Sequence, residues 1–358
     1  MKATGRLHDI GQSLWLDDIT RALLDSGTLK RDIDELSVTG LTSNPTIFDN
    51  AISKSGDYDA EIRRLMGQGQ SGEALFFELA VQDLSRAAQL FAPVHQRTSG
   101  VDGWVSLEVS PLLAYDTQAT VAQAKTLSKK ANQPNLFIKI PGTQQGLPAI
   151  EEAIFSGVPI NVTLLFSAAH YMAAADAYMK GLERRVAAGL SPDIRSVASV
   201  FISRWDRGVA GKAPAALQNK LGVAVGQQAY KAYRDVLDSD RWQRLENFGA
   251  RPQRLLFAST SMKDPNAPDT LYVSKLAAPN TVNTMPAGTL RAFGDHGEVG
   301  AVLPRDGGDS ATVLAEFAKA GIDTVALAAQ LQSEGAKSFV GSWQELLGSI
   351  ETKSKALA

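Results

Sequence analysis

Eight short apolar segments alternating with helical stretches predict an α/β fold, a closed (β/α)8 barrel of the TIM type with additional helices including a C-terminal one. The strand candidates are near-continuously apolar, the pattern of parallel strands covered by helices. No linker rich in Pro, Gly or Ser interrupts the alternation, so residues 1–358 are expected to form a single barrel domain. The turn after the first strand lacks the G-x-G-x-x-G fingerprint of an open, doubly wound dinucleotide-binding sheet, which favours closure.

In chain order, SLWLDD (13–18) is the first strand, followed by a helix capped by Asp18 or Thr20 and stopped at Gly27. VTGLTSNPT (38–46) is a strand with polar residues at its end and Pro45 opening the next element. Apolar residues three and four apart then predict helices over 57–69 and 71–94. VSLEVSP (105–111), a helix over 116–132 and LFIKIPGT (136–143) follow, then a helix over 145–156 and PINVTLLF (159–166). The helix beginning at Ala168 leads to RSVASVFISR (195–204), and helices over 215–239 and near Trp242 lead to RLLFASTS (254–261). PNTVNTMP (279–286) is the eighth strand; helices over 308–320 and 323–333 and a terminal one from 336 complete the chain.

Formal charge is −2, from 36 basic and 38 acidic residues without a basic block, which argues against nucleic acid or an anionic membrane as partner. The absence of cysteine excludes disulfides and thiolate chemistry. No signal-like N-terminus and no apolar run of membrane-spanning length is present, so a cytoplasmic location is expected. Pattern alone leaves the assembly open between monomer and homodimer.

The strand ends carry the functional signal. In LFIKIPGT, Leu136, Ile138 and Ile140 point one way and Phe137 and Lys139 the other, which sets an ammonium on a sheet face. A lysine is protonated at pH 7 by roughly three pH units, and desolvation or cationic neighbours can remove that margin and leave a nucleophilic amine. The polar parity of the other strands adds Asp17, Thr42, Asn44, Ser106, Glu108, Asn161, Thr163, Ser199 with Phe201, Ser259 and Asn283. Opposite parity is aliphatic: Leu16, Leu41, Leu107, Val109, Val162, Leu164, Val200 and Ile202. Each polar residue has a structural explanation by itself: Asn44-Pro45 as a turn, Asp17 as a cap, Glu108 as an ion-pair partner of Lys139. Two carboxylates and a lysine at one barrel mouth are costly unless they pair or serve a mechanism.

These types suit a Schiff base. Lys139 would form an imine with a ketone, an electron sink for cleavage of the neighbouring carbon–carbon bond, with Asp17 and Glu108 as two differently placed bases. Asn44, Asn161, Thr163 and Ser199 are neutral groups suited to a small polyol, and Arg204 to a phosphate. Other signals are weaker. GVAGKAP (208–214) lacks the first glycine and the Ser/Thr of a phosphate loop. His8, His95, His170 and His296 have no metal-ligand spacing, and DGGD (306–309) reads as a turn and cap.

Taken together, LWLDD, TSNPTIF, SLEVSP, FIKIPGT, NVTLLFS and SVFISR, in this order, resemble the transaldolase family, and the resemblance runs from residue 8 to about 290. It implies a Schiff-base barrel enzyme of the pentose phosphate pathway that moves a dihydroxyacetone unit from sedoheptulose 7-phosphate to glyceraldehyde 3-phosphate, with no metal or organic cofactor. It assigns imine formation to Lys139, a water-mediated role to Glu108 and the cleavage-triggering base to Asp17, with Asn44, Asn161, Thr163 and Ser199 around the three-carbon fragment. Glu108 and Phe201 look like transaldolases, whereas the fructose 6-phosphate aldolase relatives usually carry glutamine at the first position. One departure stands out: many transaldolases place a second phosphate-binding arginine past strand seven, where this chain reads ASTSMKDP (258–265). Arg204 is therefore expected to be the main phosphate ligand, with Lys263 as a helper. A lyase releasing free dihydroxyacetone and a catalytically silent sugar-phosphate-binding barrel are the alternatives.

Overall fold

The structure, a computed structural model, describes residues 2–358. Eight strands, β1 (Gln12–Asp17), β2 (Val38–Thr42), β3 (Trp104–Glu108), β4 (Leu136–Pro141), β5 (Ile160–Leu165), β6 (Ser196–Phe201), β7 (Gln253–Ala258) and β8 (Thr281–Met285), close into a barrel in sequence order. All neighbours are parallel, with β8 returning to β1. The predicted aliphatic parity faces the helices and is fully buried: Leu16, Leu41, Ile138, Val162 and Ile202 are each 0% exposed. Burying such side chains, at about 1.5–3 kcal/mol each, is the main force holding helices to barrel.

The inward parity fills the barrel in layers. Its lower layer is aromatic: Phe137 stacks on Trp104 at 4.1 Å and lies 6.0 Å from Trp15. Gly40, paired with Trp15, makes room for it, since a Cβ there would collide with the indole. Below this layer, at the N-terminal face, Arg254 donates to Ser13 Oγ (2.6 Å), Thr281 O (2.8 Å), Val101 O (3.0 Å) and Asp102 Oδ1 (3.3 Å).

Register corrects the predicted parity of the last two strands. Phe201 pairs with Ala258, and Trp15 with Thr284, so Ala258 and Thr284 face inward. Asn283 pairs with outward-facing Leu14 and accepts a bond from Thr260 Oγ1 at 2.9 Å. Ser259 still reaches the mouth, because it follows β7 in a left-handed conformation (φ 56°).

The helices differ from expectation mainly in their ends. Thr20, not Asp18, caps Arg21–Asp25 by accepting from Leu23 N. Gly27 ends that helix and also opens another, Thr28–Glu35. Helices Ala3–Asp9, Leu271–Lys275 and Ala287–His296 are additional. The two segments expected over 323–333 and from 336 are one continuous helix, Thr324–Leu357. Gly335, between the two expected segments, is a contact point, since a Cβ there would lie 2.9 Å from Leu164 Cδ2 and 3.0 Å from Arg204 Nη1.

This C-terminal helix is strapped across the barrel mouth. Gln332 Nε2 donates to Gly142 O and Leu164 O, both at 3.0 Å, at the ends of β4 and β5. Leu164 has φ 59° where the β5–β6 register shifts, a bulge of the kind that re-aims residues near active sites. Further along, Ser342 bonds Thr46 (2.8 Å), Ser349 bonds Asp49 (2.7 Å) and Lys353 bonds Asp59 (2.6 Å). Trp343 packs on Phe76 and Phe77. No helix among the described residues is long and apolar enough to cross a membrane.

Candidate active site

A cavity of about 340 Å³ opens at the C-terminal ends of the strands, beneath the C-terminal helix. Lys139 projects into it from β4 and is 6% exposed. Its Nζ donates to Glu108 Oε2 (3.0 Å) on the adjacent strand and to Ser43 O (3.2 Å). The β3–β4 register sets Glu108 beside Lys139, so two residues of like parity meet as a buried ion pair. Burial raises the Glu108 carboxyl above its ordinary value, against the attraction and hydrogen bond of Lys139, while the charge of Asp17 adds to the rise. Among the described residues, Glu108 Oε1 has no hydrogen-bond partner, and neither has Thr163 Oγ1.

Asp17, at the end of β1, also lines the cavity. Its Oδ1 accepts from Thr42 Oγ1 at 2.8 Å, and the Thr42 and Thr284 hydroxyls share a bond of 2.7 Å. Burial raises its carboxyl too, opposed by Lys139 and the Thr42 bond. A carboxylate so placed is a stronger base than one in water, held in position by a fixed hydroxyl.

Ser199 and Thr163 line the cavity wall. Asn161 lies below them, 0% exposed, donating from Nδ2 to Ser106 Oγ (3.1 Å) and accepting from Ser199 Oγ (2.8 Å). It reaches the cavity through Ser199. Asn44 has two roles at once: its Oδ1 caps the helix Pro45–Lys54 by accepting from Ile47 N (3.1 Å), and it lines the cavity. With Oδ1 engaged, its amide NH₂ remains as the donor group.

Arg204 stands at the other end, in the short helix Ser203–Gly208 after β6. Its guanidinium lies 5.1 Å from the Phe201 ring and 5.9 Å from the Phe339 ring, held by two aromatic faces with no carboxylate of the described residues in salt-bridge range. Burial and Arg207 lower its pKa, opposed by Glu334. Arginine keeps its charge under such shifts, so a partly desolvated cation with free donors faces the cavity. Lys263 is exposed at the rim, with Nζ 3.2 Å from Ser261 Oγ, and both residues line the cavity.

The cavity thus unites Asp17, Asn44, Lys139, Thr163, Ser199, Phe201, Arg204 and Lys263, with Glu108 and Asn161 bonded directly beneath. Sequence reasoning missed Thr284 through the slipped parity. It also missed Thr46 and Asn50, which stand four residues apart on one face of the helix Pro45–Lys54. Ser338 and Phe339 come from the distant C-terminal helix, and no local pattern announces them. No histidine lines the cavity, and no cluster of three or more His, Asp or Glu among the described residues is arranged to hold a metal ion. At 306–309, Asp306 Oδ1 accepts from Gly308 N (3.0 Å), the predicted turn, while Asp309 stands at the N-cap of Ser310–Lys319 without the expected side-chain cap bond.

Known proteins are similar to this chain over nearly its whole length. The family model described as transaldolase/fructose-6-phosphate aldolase matches residues 14–350. A transaldolase of Arthrobacter sp. (strain FB24) is 45% identical over 357 residues, covering 97% of this chain and 96% of the relative. That of Thermobifida fusca (strain YX) is 45% identical over 354 residues, covering 96% of each. That of Mycolicibacterium smegmatis is 43% identical over 354 residues, covering 96% of this chain and 95% of the relative. The chain belongs to the transaldolase/fructose-6-phosphate aldolase family.

Proposed function

We propose that this chain is a transaldolase, transferring a dihydroxyacetone unit from sedoheptulose 7-phosphate or fructose 6-phosphate to an aldose phosphate such as glyceraldehyde 3-phosphate or erythrose 4-phosphate, in the pentose phosphate pathway. The observation that carries this reading is the buried Lys139–Glu108 pair at 3.0 Å, sharing its cavity with Asp17 and ending at Arg204. Glu108, its basicity raised by burial, takes a proton from Lys139, and the free amine adds to the ketose C2 carbonyl. Loss of water from the carbinolamine gives the iminium; the unpaired Glu108 Oε1 and Thr163 Oγ1 suit them to handle that water. Asp17 removes the C4 hydroxyl proton, the C3–C4 bond breaks, and its electrons enter the iminium to form an enamine. The aldose leaves.

The enamine carbon then attacks the acceptor aldehyde, Asp17 returns its proton to the new hydroxyl, and water restores the amine and the ketose product. Asn44 and Ser199 hold the three-carbon hydroxyls, with Asn161 orienting Ser199. Arg204 binds the terminal phosphate, with Lys263 and Ser261 at the rim in the place of a second arginine. Residues 1–358 act as one catalytic domain, a reading supported by a continuous hydrophobic cluster and by the bonds of the C-terminal helix to β4 and β5.

The family model's description also includes fructose-6-phosphate aldolase, and products separate the two activities. A transferase consumes fructose 6-phosphate rapidly only when erythrose 4-phosphate is present and yields sedoheptulose 7-phosphate. Equal turnover without acceptor, with free dihydroxyacetone accumulating, would make it a lyase.

A further inference from the structure

Resting on the Schiff-base reading above, we propose that Phe339, carried by the C-terminal helix, keeps water off the covalent intermediate on Lys139 and so decides between transfer and release. Its ring centroid is 5.7 Å from Lys139 Nζ and 5.9 Å from the Arg204 guanidinium, so one side chain spans the covalent and phosphate ends of the cavity. The residue is 8% exposed. Opposite it, Phe201 stacks on Phe166 at 5.3 Å, and the two rings enclose Arg204.

The helix is built to bring this ring in. Gln332, Gly335 and Phe339 fall at i, i+3 and i+7, on one face. Gln332 fastens that face to the ends of β4 and β5. Gly335 lets the backbone approach Leu164 and Arg204, whose side chains would have to shift to admit a Cβ there. Phe339 follows one turn later, over the lysine.

The chemistry gives such a ring a task. After cleavage, the enamine carbon has two fates. In transfer it bonds to the aldehyde carbon of the acceptor, whose oxygen takes a proton. In release it takes a proton itself, water adds to the iminium carbon, the C–N bond of the carbinolamine breaks, Lys139 regains its amine and dihydroxyacetone departs. Only release needs water before the acceptor arrives. An apolar ring over the nitrogen excludes water from that side and offers it no hydrogen bond, while the water of dehydration is handled from the side of Glu108 and Thr163.

The test measures free dihydroxyacetone formed per sedoheptulose 7-phosphate formed, from fructose 6-phosphate at a fixed concentration of erythrose 4-phosphate. Phe339→Ala is expected to raise this ratio by about tenfold, with borohydride still attaching a three-carbon unit to Lys139. Phe339→Leu, which keeps more apolar volume, is expected to raise it less, and carries the test should Phe339→Ala fail to fold. Ser349→Ala, which removes the bond to Asp49 from the same helix, is expected to leave the ratio unchanged. An unchanged ratio in a folded Phe339 variant overturns the proposal, as does an equal rise in Ser349→Ala, which would trace the effect to a loosened helix. Absence of the borohydride adduct in the wild type would instead remove the imine reading beneath it.

Discussion

The two ends of this barrel treat buried charge in opposite ways. At the N-terminal face, Arg254 gives its donors to Ser13, Asp102 and three backbone carbonyls, and the charge is neutralised where it sits. At the mouth, Arg204 rests between two rings, Glu108 Oε1 and Thr163 Oγ1 have no partners, and burial holds two carboxyls above their ordinary values. A satisfied buried ion is part of the framework; an unsatisfied one is a standing cost that binding or catalysis must explain. The same strands supply both ends, so the contrast lies in pairing and not in composition.

That contrast is open to attack from either side. Removing the proposed nucleophile is expected to do most: Lys139→Met should lower the transfer rate by about 10⁴-fold or more, read as sedoheptulose 7-phosphate formed. Asp17→Asn should cost about 10²–10⁴-fold in kcat yet raise Tm at pH 7 by about 2–4 °C. The folded-state pKa of Asp17 is raised, so ionising it in the native state weakens folding. The penalty is present above the folded value, fades as pH falls, and is gone below the ordinary carboxylate value of about 3.9. The Tm advantage of Asp17→Asn should therefore shrink on acidification, and an advantage that grows would contradict the assignment.

At the floor, Arg254→Met should destabilise by about 3 kcal/mol in urea unfolding, because Asp102 loses its guanidinium partner and keeps only the Ser13 hydroxyl bond, while kcat at a temperature where the variant is folded stays at the wild-type level. Arg204→Ala should lower kcat/KM for fructose 6-phosphate by about 10–100-fold, the worth of one or two charge-assisted bonds, and leave turnover of unphosphorylated fructose nearly unchanged. Lys263→Ala, at an exposed rim, should raise KM for fructose 6-phosphate by only about two- to fivefold.

Much of the mouth was legible because period-two alternation transmits facing directly: in β1 to β6 the polar parity of the sequence is the inward parity of the barrel. It failed in β7 and β8 for a physical reason. Ser259 and Thr260 are adjacent, as are Asn283 and Thr284, so both parities are polar and alternation does not choose between them; only pairing with Trp15 and Phe201 does. The continuity of the C-terminal helix is hidden in another way, since a glycine that permits close packing, as Gly335 does, has the same local signature as one that breaks a helix. Phe339 belongs to an amphipathic pattern that predicts burial, but what it covers depends on where a helix lands some two hundred residues after Lys139.

Lys139, held by Glu108 at the barrel mouth, is the residue proposed to form the imine. Borohydride reduction in the presence of fructose 6-phosphate, followed by peptide mass analysis, tests it most directly. The expected result is a reduced three-carbon unit on Lys139, with loss of transfer activity. Intact, folded protein carrying no adduct, or an adduct on another lysine, would contradict it.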